Sequence, residues 1–249
     1  LALSELRKFV EDDPEAEASL RELSRTIAQK QYQRLGWNED DGESEEDAKL
    51  RAIIIGLTLY GEDAEAITMA RHLYDTTQIE SLNPELRPLI ISSVVRYGDN
   101  QIVTALLELY RSTQNAELAQ DICVGITSTR IPEEISRLLD AMKDASVIRP
   151  QDVARWFVYF VRGRDSRTQA WQWIEDTFSG DKSYDDYQRY AATGLSTPKQ
   201  LAEYITFFTP KQVIPALSRV ISLGITEIEG RVALIERDKR AVITALKQR

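Results

Sequence analysis

Cysteine and histidine occur once each in these 249 residues, as Cys123 and His72. One cysteine rules out an internal disulfide, and one of each cannot complete a zinc site of Cys and His ligands. Long apolar runs are missing too: "AIIIGLTLYG" and "WFVYFV" fall well short of the ~20 residues that cross a bilayer. No HExxH, GxSxG, GxxxxGK[ST] or GxGxxG pattern appears, and chance carboxylate pairs carry no weight among 40 acidic residues. No catalytic or metal site is therefore expected within the chain. Positive charge is in deficit: the net charge is −9, and the first fifty residues hold fourteen acidic against seven basic side chains. Such a balance repels phosphate backbones and argues against a nucleic-acid partner. The start, "LALSELRKFV", has neither an initiator methionine nor a charged-then-apolar signal, and reads as a boundary inside a longer protein.

What is present is helical periodicity over a composition, 43% hydrophobic and 29% charged, that suits a folded core. "EDAEAITMARHLYD" sets Ala66, Met69, Ala70 and Leu73 on one face, and "QIVTALLELY" does the same with Ile102, Leu106, Leu109 and Tyr110. Asp13-Pro14, Asn83-Pro84, Thr197-Pro198 and Thr209-Pro210 each place a capping residue before proline, and the last two share "TPKQ", the spacing of a capping box. Starts near 62, 84, 99, 116, 132, 150, 167, 198 and 210 recur every sixteen or seventeen residues, so a helix pair takes about thirty-four. Short connections make neighbours antiparallel. The expected fold is all-α, an α-solenoid of antiparallel helix pairs forming one domain over 1–249, with a compact irregular bundle as the alternative. The last segment, from "ITEIEGRVALIERDK" to the end, caps the array or docks on a neighbouring domain.

Four features invite a functional reading. "NEDDGESEED", residues 38–47, has seven acidic side chains in ten and reads as a solvated surface loop before a helix starting near Glu45; it lacks the spaced ligands of a calcium loop. Trp156, Phe157, Tyr159, Phe160, Trp171, Trp173 and Phe178 read as core between helices, as do Tyr184, Tyr187 and Tyr190. His72 is expected to be a partly buried structural residue and Cys123 an inert buried thiol. The fourth is Arg149, which precedes Pro150 in "SVIRPQDVARWF" where a capping acceptor normally sits. A cation at that end of a helix costs ~0.3–1 kcal/mol and offers the free amides no acceptor.

"LNPELRPLIISSVVRYG", "VIRPQDVARWFVYFVRGRDSRTQAWQWIEDTF" and "LSTPKQLAEYITFF" resemble, in order and spacing, the C-terminal helical domain of zinc aminopeptidases of the aminopeptidase N family. "YQRLGW" and "DAKLRAIIIGLTLYG" upstream, and "ISLGITEIEGRVALIERDK" at the end, extend the likeness over nearly the whole chain and toward the bacterial branch. The resemblance implies a parent enzyme that removes amino-terminal residues from peptides, with its zinc and exopeptidase motif on an earlier catalytic domain. Neither motif maps onto any residue here. It implies a lid that covers the active-site cavity and limits peptide access, with the catalytic domain of the same polypeptide and peptide substrates as partners and a cytoplasmic location. It also makes Arg149, Gln151 and Asp152, in a stretch like the family's "IRxQD", candidates for substrate binding, although Pro150 departs from the commoner residue. Arg149 could hold a peptide carboxylate or carbonyl, or it could pair with Asp152 or Asp144 and fix the turn. An independent helical scaffold that binds another protein is the alternative function.

Overall fold

The computed structural model describes residues 2–39, 42–178 and 185–248. Among them are thirteen α-helices and no strand: α1 (Ala2–Val10), α2 (Pro14–Leu35), α3 (Glu45–Tyr60), α4 (Ala64–Thr76), α5 (Arg87–Tyr97), α6 (Asn100–Ser112), α7 (Ala116–Ile126), α8 (Pro132–Ala141), α9 (Val153–Arg162), α10 (Arg167–Thr177), α11 (Asp185–Gly194), α12 (Pro198–Phe208) and α13 (Pro215–Lys247). They fall into two compact units, Leu1–Ile126 with Lys239–Arg249, and Thr127–Asp238.

In the first unit α2 and α3 run antiparallel. Arg34 binds Asp47 at 2.6 Å near one end, and Arg21 and Arg25 reach Glu62 and the Gly61 carbonyl near the other. Gly61 is glycine for space, since its backbone is helical (φ −65°) and a Cβ there would overlap Arg25 Cγ. Helices α5 and α7 lie parallel: Arg87 faces Asp121 at 3.3 Å, and one turn on, Ile91 packs against Gly125. The second unit repeats the scheme. Helices α9 and α10 are antiparallel, with Phe157 and Trp173 rings 5.8 Å apart and Arg167 donating to the Val161 carbonyl. Helices α9 and α11 are parallel, linked by Phe157–Tyr187 at 5.2 Å and Arg162–Thr193 at 2.8 Å. Antiparallel neighbours with parallel alternate helices are the stacking rule of an α-solenoid, and each unit obeys it.

The helix starts follow the sequence where the caps have room. Asp13, Ser44, Asp63 and Asp99 each accept a first-turn amide, and Thr197 with Gln200 closes a full capping box. Of the four starts with a capping residue before proline, two differ from expectation. Asn83 accepts the Glu85 amide in a turn, and the helix begins later, at Arg87 with Pro88 in its first turn. Thr209 makes no cap: α12 runs straight into a 3-10 turn over Thr209–Val213, so Thr209 is already helical (φ −56°, ψ −42°) and its hydroxyl cannot fold back.

Side-chain placements also divide. Cys123 is buried, as are Trp156, Phe157, Phe160, Trp171 and Trp173, while Phe178 stacks edge-on against Phe207 and Phe208. Tyr187 joins this core; Tyr184 lies outside the described residues. His72 is exposed, contrary to the expected partial burial, because the buried stripe of α4 passes through Ala66 and Ala70 and position 72 points ~200° away from Ala70. In the acidic stretch, Asp40 and Asp41 lie outside the described residues; most of the others are exposed, and Glu39, Glu43 and Asp47 have side-chain partners. Glu43 pairs with buried Arg51, which also donates to the Leu35 carbonyl at 3.2 Å; Asp47 takes two N–H groups of Arg34; Glu39 accepts from Asn83 at 2.6 Å.

Helix α13 serves both units. Leu217, Ile221 and Ile228 are buried, and Arg231 donates to the Ala192 and Leu195 carbonyls at 2.7 and 2.6 Å. Its last residues belong to the first unit. There Lys239 binds both oxygens of Asp12 at 2.6 Å, Lys247 binds Asp13 at 3.0 Å and Glu15 at 2.8 Å, and Leu246 is buried.

Candidate functional site

Arg149, Gln151 and Asp152 sit together on one 3-10 turn, Pro150–Asp152, leading into α9. The α-helix begins at Val153 rather than at Pro150; the missing cap alone does not explain this, since α8 begins directly at Pro132 behind uncapped Ile131. Backbone carbonyls take the first amides: Asp152 N–H donates to Arg149 at 2.8 Å, and Val153 N–H donates to Pro150. Fully buried Ile148 anchors the turn, and the Val147 and Ile148 amides donate to the Asp144 carbonyl. Asp144 is itself fixed, its carboxylate accepting from Ser146 N–H and Oγ at 2.8 and 2.7 Å. Gln151 is exposed, and Arg149 and Asp152 are half-buried, with Asp152 3.8 Å from Arg155. Three polar side chains of different hydrogen-bonding character thus project from a rigid turn, a geometry suited to gripping a polar group by position.

Sequence reading missed a second site. In the first unit a groove of about 780 Å³ opens between α1, α2, α3 and α5, and a smaller one of about 320 Å³ shares Ser93 and Tyr97 with it. Its walls are largely apolar, with Ile53 and Tyr97 exposed at 60% and 40%. Arg7, Arg21 and Arg96 line the larger groove and Arg71 the smaller, and among the described residues no carboxylate lines either. Arg21 is balanced by Glu17 and Glu62 and Arg71 by Asp75, whereas Arg7 at the wall has no such partner among the described residues.

The two arginines over the Tyr60 ring are not equivalent. Arg21 loses hydration on burial, but Glu17 and Glu62 outweigh that loss and hold its guanidinium above the ordinary value. Arg7 has no carboxylate within ion-pair reach among the described residues; its guanidinium lies 3.6 Å from the Tyr60 ring centre. Burial, reinforced by the nearby Arg21 charge and opposed by Tyr60, holds Arg7 below its ordinary value. Tyr60 is pushed up by burial, against the pull of both arginines. An apolar cleft with an under-compensated cation at its wall favours anions that carry apolar bodies. The signal was invisible in sequence because Arg7, Tyr60 and Arg96 come from three helices and share no motif.

Neither place suits a metal. Among the described residues no group of three or more His, Cys, Asp or Glu converges on a common point. No helix of the described residues is long and apolar enough to cross a membrane.

Comparison with known proteins covers the chain almost end to end. Residues 1–230 match the ERAP1-like C-terminal domain. Aminopeptidase N of Lactococcus lactis subsp. cremoris is 33% identical over 254 residues, covering 98% of this chain and 30% of the relative. Aminopeptidase N of Lactobacillus helveticus is 31% identical over 253 residues, with the same two coverages. Glutamyl aminopeptidase of Sus scrofa is 29% identical over 177 residues, 70% of this chain and 19% of the relative. The chain therefore spans about 30% of the length of the aminopeptidase N relatives it matches.

Proposed function

The chain belongs to the ERAP1-like C-terminal domain family, and from that premise we propose that it is the lid of a zinc-dependent aminopeptidase. In this reading residues 1–249 act as one helical-repeat domain beside the catalytic domain of the same polypeptide, in the cytoplasm, and restrict which peptides reach the active site. The observation that carries it is the alignment of 98% of the chain with 30% of aminopeptidase N. The parent's catalytic domain holds the zinc and performs the hydrolysis; this chain contributes walls and polar contacts.

Arg149 is the residue assigned to the substrate, with Gln151 and Asp152 beside it. Their shared turn supports this, because backbone bonds fix its shape and set the three residues side by side. The test has two arms. Purified alone, the chain releases no amino acid from peptides with or without added zinc; zinc-dependent turnover by the chain alone would overturn the reading. In the parent, Arg149→Ala weakens handling of longer peptides by ~1–3 kcal/mol while short substrates are spared. An unchanged kcat/KM across peptide lengths would return Arg149 to a purely structural role.

A further inference from the structure

We propose that residues 239–247 form an ionic latch that holds α1 in place as a wall of the Arg7 groove, so that the groove widens when the latch lets go. The latch is built from three carboxylates at the α1–α2 junction, Asp12, Asp13 and Glu15, and two lysines near the end of α13. Lys239 grips both oxygens of Asp12, at the exit of α1, while Lys247 straddles Asp13 and Glu15 at the entry of α2. Leu246 adds one buried apolar contact. The hydrogen bonds of Glu15 and Asp13 hold the Lys247 ammonium above its ordinary value, so the pairing is with a charged lysine.

Helix α1 is the part of the groove wall placed to move. It is nine residues long, packs on α2 and among its described residues buries only Phe9 and Val10 at its end, whereas the opposite wall, α3 and α5, is embedded among several helices through buried Ile54, Ile55, Ile90 and Ile91. A helix this short has little intrinsic stability and holds its place through its contacts. Its contribution to the groove is Leu3, Ser4 and Arg7. The latch pairs are partly solvent-exposed, which makes them weak singly and sensitive to salt. A restraint of that kind can open and close without unfolding the unit. This inference stands on the first unit alone and is independent of the lid reading.

Hydrogen exchange on the full chain tests it, with Lys239→Gln/Lys247→Gln as the variant. Exchange over residues 2–12 is expected to rise about tenfold in the variant with α5 unchanged, and Arg7 labelling by a dicarbonyl reagent to rise alongside. Raising salt from about 0.05 to 0.5 M should move the unmodified chain toward the variant and leave the variant itself still. The swap Asp12→Lys/Lys239→Asp should restore protection relative to Lys239→Asp alone. Unchanged exchange over residues 2–12 in the double variant, or faster exchange spread evenly through the first unit, would overturn the latch. So would salt independence in the unmodified chain.

Discussion

Thr197 stands ahead of its helix in extended backbone (φ −119°, ψ 155°), so its hydroxyl turns back to accept the Gln200 amide at 3.3 Å. Thr209 heads the same four residues, TPKQ, but inherits helical backbone from α12 and accepts nothing at its N-cap. Thr197→Ala should therefore cost ~1 kcal/mol in denaturant unfolding and Thr209→Ala only a few tenths. Equal costs would mean that the shared tetrapeptide, not the backbone that precedes it, decides capping. A second residue gives a pH dependence. Burial pushes Asp121 up to about 6, against the pull of Arg87 and helped by Glu117 and Glu85, from an ordinary value of 3.8. The folded chain thus binds this proton more tightly than the unfolded chain. The resulting stabilisation is complete below pH ~4 and is lost as pH rises through about 6. Melting Asp121→Asn beside the unmodified chain from pH 4 to 7 should show the difference falling across that window; a constant difference would refute the assignment.

Helices were legible where one residue states its own role, and less so where a neighbour decides. Capping by Asp13 and Thr197 needs only the adjacent amides, so local sequence sufficed. The burial of Trp156 and Phe157 likewise follows from an apolar stripe in α9. His72 was misjudged because its neighbour Leu73 leans toward the core while the helix turns His72 outward. Glu43 was hidden in an acid-rich run, and its partner Arg51 sits on the next helix. Close helix approach was equally silent. Gly125 lets α7 rest against Ile91 of α5, where a Cβ would overlap Ile91 Cγ2. Gly125→Ala should destabilise the first unit by ~1–3 kcal/mol through overpacking, read as a lowered denaturant midpoint. A neutral or stabilising outcome, as helix propensity alone would give, would show that the α5–α7 contact yields easily.

At the scale of the molecule, family and helical architecture could be read from the order and spacing of weak motifs, because a repeat fold writes its period along the chain. The charged groove could not, since it gathers Arg7 and Arg96 from positions far apart in sequence. The route of α13 also bears on how the protein is made. The first unit is discontinuous, comprising residues 1–126 and then 239–249. During synthesis its opening helices emerge from the ribosome more than a hundred residues before the segment that completes it. Asp12, Asp13 and Glu15 therefore precede the whole second unit in synthesis, and the lysines that pair with them, Lys239 and Lys247, follow it.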